Sequence, residues 1–166
     1  MVTPSTVEEL DQKLCENYAL DWNNLKMAQR RCYGYDTGPD GELVINPDEA
    51  VVVRWIFEHY LNGDSLDKIA AGLEEQGISS PTGKPKWNRE ALNKLLSNEK
   101  YTGRILLQKT ISTGISQIKN DGILARYVIS NAHDSIISDK MFKLVQQEKM
   151  KRTNSPEVGF SMQMFF

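Results

Sequence analysis

The 166-residue sequence predicts an α+β fold, mostly α-helical, in which a trio of helices is flanked by small β-hairpins. Three observations carry this. Apolar residues recur at a spacing of three to four in several separate windows. The windows of the trio begin at side chains that cap helices, and two of them stop at a glycine. Between windows lie short apolar runs around Gly, Pro and Asp, the pattern of hairpins and turns. Hydrophobic residues make up 40% of the chain, enough for the core of one ordinary domain or two small ones.

Residues 5–30 read as a first helix, with Leu10, Leu14, Tyr18, Trp22, Leu25 and Ala28 on one stripe. Tyr33 to Ile45 reads as a hairpin around Asp36, Gly38, Pro39, Asp40 and Gly41. Asn46 caps the helix that follows, Pro47 suits its first position, and Glu49 is placed to close a capping box. Val53, Ile56, Phe57 and Tyr60 form its apolar stripe, and Gly63 ends it. Ser65 caps the next helix, whose inner face is Leu66, Ile69, Ala70 and Leu73, and Gly77 stops it. Ile78 to Trp87 is a polar, flexible loop. Asn88 caps a third helix running to about Ser97, with Trp87 stapled onto Leu92. Its buried face is Leu92, Leu95 and Leu96; Arg89, Asn93 and Ser97 line the other. Tyr101–Ser112 and Tyr127–Ile129 read as two strands joined by an exposed turn near Asn120-Asp121-Gly122. Ser138 starts a last helix with Met141, Phe142 and Val145 inward and a basic end at Lys149, Lys151 and Arg152. The organisation expected is residues 1–31 as a linker-type helix, 32–152 as one domain and 153–166 as a disordered tail.

Several chemistries are excluded by spacing. Cys15 and Cys32 are two thiols where a Cys-only zinc site needs four. Asp36, Gly38, Asp40 and Gly41 imitate a calcium loop, but Pro47 stands where its bidentate Glu belongs. Gly77, Gly83 and Lys84 imitate a phosphate loop with one residue too many, and Pro85 replaces the Ser or Thr that holds magnesium. His59 lies on the Val53–Tyr60 helix and reads as packed or solvated. His133 precedes Asp134, but no serine sits in a nucleophile elbow. No catalytic, metal or cofactor site is therefore expected. The longest apolar runs, such as Ala50–Val53, are far short of the roughly 20 residues of a membrane span, and no secretory signal opens the chain. A cytoplasmic location is the expectation.

The net charge is −2, against the usual basic balance of a nucleic-acid binder, yet its distribution is uneven. Residues 36–64 hold seven acids and one base; residues 84–109 hold seven bases and two acids. The basic segment contains the third helix. Two helices followed by a polar-faced third form a helix-turn-helix-like trio, an arrangement that reads duplex DNA. Arg89 and Asn93 are the candidates for base edges, Ser97 lies on the same face, Lys84, Lys86 and Lys94 are candidates for phosphate, and Arg30 and Arg31 are further DNA-binding candidates. The link before the third helix is about ten residues, longer than the tight motif allows. The alternative is a protein-interaction module using the acidic face of residues 36–64.

A longer string of residues bears on this choice. Tyr33-Gly34-Tyr35, Gly41-x-Leu43-Val44-Ile45-Asn46-Pro47-x-Glu49-Ala50, Ile56-Phe57 and Ser65-Leu66-x-x-Ile69-Ala70 come first. Gly77-Ile78-x-x-Pro81-x-Gly83, Trp87, Leu96-x-Asn98-x-x-Tyr101-x-Gly103 and Val128-x-x-x-Ala132-His133-x-x-Ile136-Ile137 follow. In order and spacing this resembles the recombinase domain of the large serine site-specific recombinases, the integrases of phages and mobile elements, over residues 30–152. The long loop before Trp87 is part of that pattern. The resemblance implies double-stranded DNA as partner, at one part of an attachment half-site, within a recombinase oligomer. It also implies that the strand-cutting serine lies in a separate N-terminal domain and that a Cys-x-x-Cys zinc ribbon follows. Neither is recognisable here, so the chain itself is expected not to be an enzyme. Residues 1–29 are expected to stand where the family has a long linking helix, although their acids outnumber their bases.

Overall fold

Three side chains that accept hydrogen bonds at helix starts set the frame. Asn46 accepts from the Glu49 N–H at 3.1 Å, Ser65 from Lys68 at 3.2 Å and Asn88 from Ala91 at 2.6 Å. Each satisfies a donor that its own helix leaves open. A computed structural model describes residues 31–112, 116–122 and 124–154. In it these caps begin α1 (Pro47–Leu61), α2 (Leu66–Glu75) and α3 (Arg89–Leu96). The expected first helix over residues 5–30, and the tail beyond 154, lie outside the described residues.

Before α1, β1 (Tyr35–Thr37) pairs antiparallel with β2 (Leu43–Ile45), Tyr35 opposite Ile45. The expected capping box forms only half. Glu49 does not turn back to Asn46, whose N–H donates to the Gly34 carbonyl at 2.9 Å. Its carboxylate instead accepts from the Gly34 N–H at 2.7 Å and pairs with Arg31. The hairpin is thereby fastened to the start of α1.

The core is built from the predicted stripes. Ala50, Val53, Ile56 and Phe57 of α1 are fully buried. Ile69 and Leu73 of α2, Leu92 and Leu96 of α3 and Trp87 join them in one cluster. Trp87 stands edge-on to Tyr33, centroids 5.1 Å apart, and its indole N–H donates to the Ile78 carbonyl at 3.0 Å. The last helix, α4 (Asp139–Asn154), buries Val145 in the same cluster, with Met141 and Phe142 packed against it.

The expected strand over Tyr101–Ser112 is not continuous. A short 3-10 helix takes Glu99–Thr102, and β3 (Ile105–Leu107) and β4 (Thr110–Ser112) follow. They are separated at Gln108, which has a positive φ of 57°, a bend uncommon for a residue with a side chain. β3 pairs with β6 (Tyr127–Ile129), and β4 with β5 (Gln117–Lys119), a strand the sequence pattern does not signal. The expected exposed turn is pinned by a buried residue. Asn120 is 0% exposed. Its amide donates to the carbonyls of Gln108 and Leu124 at 2.8 and 2.9 Å and accepts from the Leu124 N–H at 3.0 Å. These bonds satisfy the backbone where the ribbon bends.

Among the described residues no helix is long and apolar enough to cross a membrane, and no group of three or more His, Cys, Asp or Glu is placed to hold a metal.

Two outcomes follow for stability. Trp87→Ala removes a side chain that is 1% exposed and should cost about 3–5 kcal/mol; an unchanged melting temperature would remove Trp87 from the core. Asn120→Leu should cost about 1–3 kcal/mol by leaving buried backbone groups unpaired, read as a drop in the denaturant midpoint.

Candidate nucleic-acid interface

The outer face of α3 follows from its inner one. Leu92, Leu95 and Leu96 are buried, so at 3.6 residues per turn Arg89, Asn93 and Ser97 fall on the other side. All three are exposed, as are Lys94, Lys84 and Lys86. A shallow groove of about 380 Å³ separates α2 from the loop and the start of α3. Asp67 and Glu74 stand on its α2 side; Lys84, Lys86 and Arg89 stand opposite.

The loop carrying the two lysines is held by its own hydrogen bonds, contrary to the flexible loop expected. The Ser80 N–H donates to the Lys84 carbonyl at 2.8 Å, and the Gly83 N–H to the Ser80 carbonyl at 2.8 Å. The Ser80 hydroxyl accepts from the Lys84 N–H at 3.1 Å. With Trp87 anchored on Ile78 at the far end, the ten-residue link becomes a fixed spacer.

The cations differ in what they touch. Arg89 lies 3.4 Å from Asp67 across the groove, with both side chains about two-thirds exposed or more; such a pair is worth at most about 1 kcal/mol. Lys94 pairs with Glu90 one turn back at 2.6 Å, and this hydrogen bond holds the Glu90 carboxyl below the usual carboxylate range. Arg104 pairs with Asp139 at 2.7 Å, and Lys109 with Glu99. Lys84 and Lys86 have no acidic partner among the described residues. They are the unengaged positive charges beside α3.

The remaining candidates are placed as follows. Arg31 is tied to Glu49 at the other end of the hairpin. Arg30 lies outside the described residues. Ser97 donates its hydroxyl to the Asn93 carbonyl at 2.9 Å and accepts from Lys149 of α4, a contact no local pattern signals. Both histidines are engaged in packing. His59 lies 2.7 Å from an Asp64 carboxylate oxygen and stacks on Trp55, centroids 4.0 Å apart. His133 Nε2 is 2.6 Å from the Lys100 carbonyl, and its ring meets Tyr35 edge-on. Of the acids in residues 36–64, Asp36 accepts from Asn46, Glu49 from Gly34 and Arg31, and Asp64 from Lys68 and His59. Part of that face is thus spent inside the domain.

Comparison with known proteins bears on this arrangement. A family profile described as Recombinase matches residues 47–152, well over half of the chain. Among solved structures, the crystal structure of an LSR–DNA complex matches at 23% identity with a TM-score of 0.54, over 83% of this chain and 38% of that one. A structure concerned with the sequence requirements of the Listeria innocua prophage attP site matches at 23% identity with a TM-score of 0.57, over 84% of this chain and 51% of that one. The chain therefore spans less than two-thirds of either protein. The matched segment runs from the first residue of α1 into the last turns of α4, and so contains the groove, the fixed loop and all of α3. Over residues 47–152 the chain belongs to the recombinase-domain family that its sequence resembles.

Proposed function

We propose that this chain binds duplex DNA sequence-specifically at recombination attachment sites, as the DNA-reading part of a serine site-specific recombinase. The observation that carries it is the pairing of an exposed Arg89 and Asn93 on α3 with two unengaged lysines on a fixed loop beside it. The fold is shared with a protein solved in complex with DNA. In this reading α3 enters the major groove. Arg89 exchanges the exposed Asp67 for a guanine edge, and Asn93, whose amide has no partner among the described residues, meets an adenine edge. Lys94 and Ser97 continue that surface. Lys84 and Lys86 take phosphates, which position the domain without reading sequence. Arg30 is a further candidate for DNA contact, and Arg31 would have to leave Glu49 to join it.

The organisation that goes with this is a linker-type segment over 1–31 and the DNA-binding domain from 32 onward, which includes residues 153 and 154, expected in the tail but helical at the end of α4. Strand exchange belongs to other domains of the recombinase, assembled as an oligomer on cytoplasmic DNA.

Base readers and phosphate contacts separate by their dependence on sequence and salt. The probe is the duplex that the chain enriches from a randomised pool, compared with its scrambled counterpart. Arg89→Ala or Asn93→Ala should each cost about 1–3 kcal/mol on the enriched duplex and little on the scrambled one. Lys84→Ala or Lys86→Ala should weaken both alike and lower the salt slope by about one. Equal effects of Arg89→Ala and Lys86→Ala on both duplexes would overturn the assignment of α3. Supercoiled plasmid carrying the enriched site should stay intact with the chain alone; nicking abolished by a serine substitution in this chain would place cleavage here.

A further inference from the structure

The end of α3 nearest α4 presents a complete hydrogen-bond account. An α-helix leaves its last four carbonyls without partners inside it, here those of Asn93, Lys94, Leu95 and Leu96. Lys94 and Leu95 are served by the following backbone, through the N–H groups of Ser97 at 3.2 Å and Asn98 at 3.1 Å. Both of the other two receive a donor from α4, the Asn93 carbonyl alongside one from the Ser97 hydroxyl at 2.9 Å. Gln146 donates its amide to the Leu96 carbonyl at 2.7 Å, and Lys149 donates to the Asn93 carbonyl at 3.2 Å. Lys149 also reaches the Ser97 hydroxyl, which itself donates to Asn93. One ammonium thus holds two consecutive turns of the outer face.

Three physical points make this more than a surface contact. A cation at a helix C-terminus is favoured by the helix dipole. Lys149 is partly buried at the junction, and this burial lowers its pKa from the ordinary lysine value, a cost that its carbonyl and hydroxyl acceptors offset. And α4 is itself fixed: Val145 is fully buried, and Arg152 donates to the Tyr60 and Asp64 carbonyls at 2.8 and 2.9 Å while lying 4.1 Å over the Tyr60 ring. The contact therefore ties α3 to α1 through a rigid arm.

We propose that Lys149 and Gln146 are positioning residues that set the pose of α3, and with it the base discrimination exerted by Arg89 and Asn93. This rests on α3 being the base-reading helix. Lys149 touches the backbone of Asn93, the residue whose side chain would meet a base. Recognition groups must be held by a supporting shell to within about 0.5 Å to be productive. Loosening this end should let α3 tilt about its anchored start at Trp87 and Asn88 and blur the choice of base, while the phosphate contacts of Lys84 and Lys86 stay in place.

The test is the base-preference profile of the whole chain, obtained by selection from a randomised duplex pool, for the parent, Lys149→Met, Gln146→Met and Arg89→Ala. For Lys149→Met and Gln146→Met we expect the preference for the enriched over the scrambled duplex to fall roughly tenfold. The loss should fall at positions that Arg89→Ala or Asn93→Ala also flattens, with affinity for the unselected pool and the salt slope unchanged. Gln146→Met approaches the same junction through Leu96 and decides the matter should Lys149→Met not fold. Unchanged profiles in both variants, alongside a flattened one for Arg89→Ala, would overturn the positioning role alone. A uniform loss on all sequences with the salt slope lower by about one would overturn it too, and make Lys149 a phosphate contact. If Arg89→Ala and Asn93→Ala flatten nothing, the reading of α3 itself has failed, and this inference falls with it.

Discussion

Eight residues make little more than two helical turns, too few to hold themselves in water. α3 has that length, and much of the architecture can be understood as support for it. At its start, Asn88 caps the first turn and Trp87 is sunk into the core, its N–H on Ile78. Along its inner face three leucines pack against the cluster centred on α1. At its end α4 supplies the donor to the Leu96 carbonyl and a second donor to that of Asn93, beside the Ser97 hydroxyl. The long link before α3 is compatible with this only because the Ser80–Lys84 turn and the Trp87 anchor remove its freedom. A tight helix-turn-helix reaches the same result with a short turn; here a large apolar residue and an internally bonded loop replace shortness.

The charge pattern becomes intelligible on the same frame. A net charge of −2 argues against DNA only if charges are counted without their partners. Arg104 and Lys109 are spent on Asp139 and Glu99, Arg31 on Glu49 and Arg152 on Glu148 and two carbonyls of the α1–α2 corner. Lys84 and Lys86 are left unpaired, and Arg89 and Lys94 are held only by exposed acids that water screens strongly. The acids Asp48 and Glu58 lie on α1, outside the groove. In the proposed reading the unpaired lysines attract a polyanion to this side, while Asp67 and Glu74 on the α2 wall of the groove bound the surface it can occupy.

How far this was legible from the residues follows from the range of each interaction. The three caps, the stripes of α1, α2 and α3 and the hairpin at 33–45 were legible because each is decided within a few residues. Glu49 was misread because its partner, Gly34, lies fifteen positions back on another element, while the local rule pointed to Asn46. The strand over 101–112 was misread because its break depends on Gln108 adopting a positive φ and on Asn120 supplying hydrogen bonds from twelve positions away. β-propensity says nothing about such a pin. The candidate residues of the site stood out through the polar face of α3, whereas the contact from Lys149 and Gln146 had no signal, since it joins positions about fifty apart. The resemblance supplied what periodicity could not, a reason for the long link before Trp87.

The separation of roles proposed for this surface has an energetic logic. Phosphate attraction is long-ranged and tolerant of small displacements, so lysines on a loop serve it well, and the bonds within 80–84 need only keep them on the correct side. Hydrogen bonds to base edges weaken steeply once distance or angle departs from ideal, so the side chains that make them have to come from an element with fixed ends. The tyrosines show the same demand further inside. Tyr101 donates its hydroxyl to the Tyr33 carbonyl at 2.7 Å and Tyr35 donates to Asp134 at 2.8 Å, and burial raises the pKa of both phenols, keeping them protonated as donors. Through these two bonds the hairpin, the chain after α3 and the approach to α4 are joined. The position of α4, from which Lys149 reaches α3, is therefore fixed from the far side of the domain, and a change at the hairpin would reach the outer face of α3 through packed and hydrogen-bonded elements.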